Sequence, residues 1–166
     1  VEDIKGLKVR VPDTIWASVV EAWGGTPVSI SVNDLYTALE RGTVDAAIYP
    51  GNAIYTRGFH EVAPYITLVN LYGSLNSFVM NLDLFNSFPD DLKTRFDEEF
   101  NPLLSEYTAL SNTNTDAESL AKLEEELENM GEGEIIILSK EDQDRLIEDT
   151  VQAWQEWADV ATEKGY

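Results

Sequence analysis

The sequence predicts an α/β fold: a parallel-rich sheet flanked by helices, followed by a long kinked helix and a C-terminal helix. Three observations predict it. Short β-branched runs at Leu7–Val11, Pro27–Ser31 and Val44–Tyr49 alternate with stretches of helical periodicity. Strands spaced by helices of that length imply right-handed βαβ crossovers and a parallel core. The last half is dominated by helical patterns over Pro89–Tyr107, Asp116–Met130 and Ser139–Gly165. Finally, 43% of the 166 residues are hydrophobic and 10% aromatic, too apolar for a disordered chain and enough for a substantial core.

Each element has its own local cause. Pro12 closes the first strand because it cannot continue a central ladder. Asp13 or Thr14 then caps a helix whose Ile15, Trp16, Val19, Val20 and Trp23 form one stripe, ended by Gly24-Gly25. After the second strand, Ser31-Val32-Asn33-Asp34 fits a capping box, with Leu35, Ala38 and Leu39 facing inward and Gly42 as the stop. Pro50-Gly51-Asn52 turns the third strand into a short helix, Ala53–Gly58. Tyr65–Leu71 and Ser77–Asn81 read as β-runs with no helix between them, so one of them leaves the first sheet. Ser111–Thr115 (SNTNT) predicts a break or kink between two long helices. Leu120, Leu123 and Leu127 make a stripe narrower than a core helix usually shows. Gly131–Gly133 leads into Ile135–Leu138, a buried strand by its apolar run. In the final helix Glu141 and Asp142 occupy the first turn. Ile147, Val151, Trp154 and Ala158 give it one apolar face, widened by Trp157.

Charge narrows the partners. There are 31 acidic against 11 basic residues, a formal net charge of −20. Such a field repels nucleic acid and anionic membrane surfaces. Spread over helix faces, the excess reads as solubility in a saline habitat, in preference to a metal- or partner-binding acidic face. The absence of cysteine removes disulfides, zinc–thiolate sites and cysteine nucleophiles. No segment approaches the ~20 apolar residues of a membrane span. Val1–Gly6 lacks an initiator methionine and a signal-peptide pattern, and reads as the interior of a longer protein, so a fragment or processed chain is expected.

Few residues are candidates for chemistry. Arg10 lies at the carboxyl end of the first strand, where ligands bind in α/β sheets, and its fork of donors matches a carboxylate bidentately. The competing reading is an ordinary salt bridge to one of the acids. Tyr49 and Asn52 flank Pro50-Gly51 after the third strand and suit hydrogen bonding to a small polar ligand, or else form a structural turn. Trp16 lies near the strand end carrying Arg10, and core packing competes with a ligand role. His60 is the single histidine and no serine sits in a nucleophile elbow, which disfavours a triad. Glu124-Glu125-Glu126 lacks EF-hand spacing. Gly24-Gly25 ends a helix instead of opening one, so no phosphate loop is present.

Several segments carry a family resemblance. Gly6–Pro12 (GLKVRVP) is similar to a "GLKIRVP" segment, and Asp34–Asp45 (DLYTALERGTVD) to a "EVYTALQxGxVD" pattern. Phe59-His60-Glu61-Val62 with Tyr65-Ile66-Thr67-Leu68, Phe78–Asn81 and the helix start at Phe88–Leu92 follow in order. Together they resemble the substrate-binding proteins of tripartite ATP-independent periplasmic (TRAP) transporters, the DctP-like family, over essentially the whole chain.

The resemblance implies a periplasmic-binding-protein-like lobe of a clamshell receptor in the periplasm, not an enzyme, with no cofactor. Two lobes close over a small organic acid, and the loaded receptor docks on membrane permease subunits. By position, Arg10 corresponds to the arginine that pairs with the ligand carboxylate. Val32 falls where a pocket-lining side chain is common, and Asn70 near the hinge-side wall. Tyr49 stands where the family's "DGQENP" segment has asparagine. Here that segment reads Asp45–Pro50 (DAAIYP), which implies a less polar or larger acid, with Tyr49 and Trp16 shaping specificity.

Family members are about twice this length. Residues 1–75 would be the second lobe, 76–116 a crossover strand and long helix that normally pack on a missing first lobe, and 117–166 the return to the second lobe. The uncovered apolar surface favours self-association or a domain swap. The competing classes are an α/β enzyme using carboxylates with His60, and an assembly module built on the Leu120–Leu127 stripe.

Overall fold

The computed structural model describes residues 2–69 and 78–165, with backbone alone at 111–115 and 152. Two compact units result, Val1–Leu71 with Ser119–Tyr166, and Tyr72–Glu118.

The first unit opens on a 3-10 turn at Glu2–Ile4, then β1 (Lys8–Val11), α1 (Thr14–Ala22), β2 (Thr26–Ser29), α2 (Val32–Glu40) and β3 (Ala46–Ala47). The strands form one parallel sheet of order β2-β1-β3, with Arg10 level with Val28 on one side and Ala47 on the other. Asp13 caps α1 by accepting from the Ile15 and Trp16 N–H groups, and Ser31 caps α2 through the Asn33 N–H. β3 is two residues long against an expected Val44–Tyr49. Asp45 and Ile48 still bond to β1 through the Lys8 and Arg10 carbonyls at 2.8 and 3.0 Å. Pro50 brings no further donor, so the chain turns away into the short helix α3 (Gly51–Ile54).

β4 (Tyr65–Leu68) leaves this sheet and pairs in parallel with β5 (Glu134–Ile137). The expected strand at 77–81 is absent over its described part: residues 78–81 have no ladder, and Val79 is 92% exposed. Asn70 and the end of the expected Tyr65–Leu71 run lie outside the described residues. β5 forms where its apolar run predicts, yet it is not buried. Ile137 is 77% exposed, because a two-stranded sheet covers only one face of the run.

The second unit holds α4 (Leu82–Asn86), α5 (Asp90–Arg95) and the first part of α6 (Asn101–Met130). Phe85, Phe88, Phe96 and Phe100 pack ring to ring with centroids 5.1–6.2 Å apart. The break expected at Ser111–Thr115 does not occur, and the α6 backbone is helical throughout. Good helix formers on both sides override the weak propensities of that run. The departure from α geometry lies earlier, in a π turn at Phe96–Phe100. Pro102 explains it: it has no N–H for the preceding turn, and its ring crowds the carbonyl four residues back.

α6 returns to the first unit, where Leu123 and Leu127 pack with Ile66 and Ile135. α7 (Lys140–Glu163), capped by Ser139, lies against α1. Its inward stripe is Leu146, Thr150 and Ala153; the expected face of Ile147, Val151 and Trp154 is exposed, as is Trp157. The small Thr150 and Ala153 let α1 approach closely, and Trp23 Nε1 donates to the Leu146 carbonyl at 3.2 Å. That contact fixes which face turns inward.

Glu2 tethers the start of the chain to α7 through Arg145, 2.6 Å away. Hydrogen bonding from its own backbone, then the Arg145 guanidinium, holds the Glu2 carboxyl below the usual carboxylate range. A carboxyl lowered in the folded state adds stability above its unfolded pKa and loses it as pH falls through the folded value. Arg145→Gln is therefore expected to lower the urea midpoint slightly at neutral pH. In acid the difference from wild type should vanish, which denaturation curves at two pH values will check.

Candidate functional site

The carboxyl edge of the first sheet is built around Arg10. β1 carries it on the sheet face opposite its neighbours Val9 and Val11, and only 7% of its surface remains exposed. Its Nε donates to the Ile30 carbonyl at 3.0 Å and its Nη1 to the Ile48 carbonyl at 3.3 Å. These carbonyls follow β2 and β3, the strands on either side of β1. The Tyr49 ring centroid lies 5.8 Å from the guanidinium carbon. Among the described residues no carboxylate comes within 4.0 Å of Arg10, so the salt-bridge alternative does not hold.

The structure brings Tyr49 to Arg10 and sets Val32 and Tyr49 around one core cluster of Leu35, Ala38, Val44 and Phe59. Trp16 is buried in a different cluster, among Val9, Val11, Val19, Val20, Trp23, Leu146 and Ala153. Asn52 is half-buried on α3. Asn70 lies outside the described residues.

Two contributors escaped sequence reasoning. The Ile30 and Ile48 carbonyls have no signature in side-chain type, although their places just past two strand ends could have drawn attention. Phe59 meets Tyr49 edge to face at 4.9 Å and 89°. Nearby, Tyr36 donates to Glu61 at 2.9 Å, and that hydrogen bond, then burial, raises the Tyr36 phenol above its ordinary value.

His60 is buried and stacks on Tyr55, and its Nδ1 has no hydrogen-bond partner among the described residues. A separate depression of about 460 Å³ is lined by Glu124, Glu128, Glu132 and Glu134 with Leu127 and Ile135. Its charge opposes an anionic ligand. No group of three or more potential metal ligands occurs among the described residues, and no described helix is long and apolar enough to cross a membrane.

A parallel sheet of order β2-β1-β3 holds a buried cation at its carboxyl edge, the edge at which open α/β sheets bind ligands as a class. Residues 1–159 match the profile of the bacterial extracellular solute-binding proteins, family 7 (DctP), and the chain belongs to that family. Its members are solute-binding receptors, not enzymes. A solute-binding protein of Sulfitobacter sp. (strain NAS-14.1) is 33% identical over 93 residues, which is 55% of this chain and 28% of that one.

Two solved structures place the fold. A TRAP periplasmic solute binding protein from Marinobacter aquaeolei VT8, in an apo open state, matches with a TM-score of 0.82 and 25% identity. The match covers 99% of this chain and 53% of that one. One from Sulfurospirillum deleyianum with bound succinate gives 0.74 and 25%, over 94% of this chain and 50% of that one. The chain thus spans about half the length of these two proteins.

Proposed function

We propose that this chain is the anion-anchoring lobe of a periplasmic solute receptor. The receptor binds a small organic acid and hands it to a TRAP membrane permease. The observation that carries this reading is Arg10: a buried guanidinium held by two neutral carbonyls, with no carboxylate partner among the described residues of a chain of net charge −20. A buried charge without a counter-ion is costly unless something supplies one, and a ligand carboxylate does so in a bidentate pair. That the Sulfurospirillum relative holds succinate supports the same ligand class. Val32 and Asn52 are proposed to line the wall beside Arg10, while Tyr49, packed against Arg10, governs how the anchor is presented to the acid. Hinge closure of a second lobe over the acid would then mark the loaded state for the permease.

The exposed apolar residues fit this reading. Phe78, Val79, Leu82 and Leu84 in the second unit form a surface that a first lobe would cover. Without that lobe the chain is expected to self-associate, and a monomeric mass by light scattering at tens of micromolar would overturn this.

Calorimetric titration with succinate and with hexuronates tests the ligand class. Micromolar binding is expected of the two-lobed receptor and little or none of this chain alone. A receptor that ignores every carboxylate yet binds a neutral sugar or amine would sink the proposal. An enzyme using His60 finds no support, since among the described residues its Nδ1 has no carboxylate to orient and polarise it.

A further inference from the structure

The contacts of Arg10 say how it must meet a ligand, a step that rests on the anchor reading. A guanidinium has five N–H groups: one on Nε and two on each Nη. The Ile30 carbonyl consumes the Nε–H, which removes the side-on mode in which a carboxylate spans Nε and Nη2. The Ile48 carbonyl takes one Nη1–H. Because β2 and β3 flank β1 on opposite sides, the two carbonyls grip opposite edges of the fork. One Nη1–H and both Nη2–H groups are left, and a pair of these at the tip suits one carboxylate end-on.

Two carbonyls on opposite edges leave the plane free to rock about the line joining them. The Tyr49 ring closes that freedom from one face, at 5.8 Å. Tyr49 is itself only half-buried, and the edge-to-face contact with Phe59, 95% buried in the α2 cluster, keeps its ring in place. We propose that Tyr49, buttressed by Phe59, is a positioning residue that fixes the plane of Arg10, so that only the Nη1/Nη2 tip faces a ligand carboxylate. The aromatic face does this work, not the hydroxyl.

The test has two arms. In this chain without ligand, the Arg10 Nε–H is followed by NMR exchange with water. Tyr49→Leu and Phe59→Leu should speed its exchange about fivefold or more, while Tyr49→Phe leaves it unchanged. Unaltered exchange in Tyr49→Leu, with backbone spectra showing an intact fold, overturns the proposal.

In the two-lobed receptor, succinate binding is measured by calorimetry. Tyr49→Leu should weaken it about fivefold to thirtyfold, Tyr49→Phe by less than about twofold, and Tyr49→Leu should have no further effect once Arg10→Lys is present. Equal effects in both backgrounds would make Tyr49 an independent ligand contact and overturn the positioning role. Failure of the anchor reading shows differently, as Arg10→Lys binding succinate as tightly as wild type.

Discussion

Arg10→Met is expected to abolish binding of an organic acid by the two-lobed receptor while leaving the ligand-free chain no less stable than wild type. The two halves of this expectation have one cause. Methionine keeps most of the aliphatic volume beside Tyr49 but removes a charge that is 7% exposed and has no acidic partner among the described residues. Replacing a buried ionic group with an apolar one of similar volume is often neutral or stabilising. Against that stands the loss of two hydrogen bonds, to the Ile30 and Ile48 carbonyls. A carbonyl left dry and without a donor would cost about 1–3 kcal/mol, but carbonyls at a strand end can be rehydrated at the crevice. Binding has no such compensation. Removing one member of a buried charge pair costs about 2–5 kcal/mol, at least thirtyfold in affinity. Urea denaturation of the free protein and calorimetry with succinate measure the two terms separately. A stability loss of several kcal/mol with affinity intact would make Arg10 a structural strut.

The same residue shows what could be read from sequence and what could not. Its position at a strand end, the closing Pro12 and the Asp13 cap are all local, and local signals placed β1 and α1 correctly. The guanidinium's neighbours are not local. Ile30 and Ile48 act through backbone oxygens, which carry no residue-type signature, and Phe59 reaches the site through the Tyr49 ring.

The helices divide the same way. Ser139 announces the start of α7, but two adjacent stripes compete for its inward face. The choice falls to a hydrogen bond between Trp23 and Leu146, 123 residues apart. In α6 the polar run Ser111–Thr115 looked like the weak point. A proline at position 102 mattered more, because a missing donor and a ring clash outweigh a few tenths of a kcal/mol of propensity. β5 was legible as a strand from its isoleucines, whereas its exposure depends on how many strands lie beside it.

Gly133→Ala is expected to destabilise the first unit by about 2–4 kcal/mol, from two separate penalties. Gly133 has φ of +95°, a conformation that costs an L-residue, and it closes the turn by which α6 hands the chain to β5. A Cβ there would lie 2.6 Å from both the Pro64 carbonyl oxygen and the Pro64 Cβ, and 2.8 Å from Leu127 Cδ2. Two of those atoms belong to a proline and cannot swing aside. The third belongs to the cluster that joins Leu123 and Leu127 to Ile66 and Ile135. Relief therefore requires moving the turn away from Pro64, and with it the Glu134 N–H bond to the Pro64 carbonyl that begins the β4–β5 ladder.

Gly131 provides the control within the same turn. Its φ is +72°, but a Cβ there meets nothing within 4 Å. Gly131→Ala should cost only the conformational penalty, about 1 kcal/mol. Urea midpoints of the two variants separate the contributions: a difference of at least about 1 kcal/mol is expected, and equal midpoints would show that strain at positive φ, not the close approach to Pro64, governs the turn.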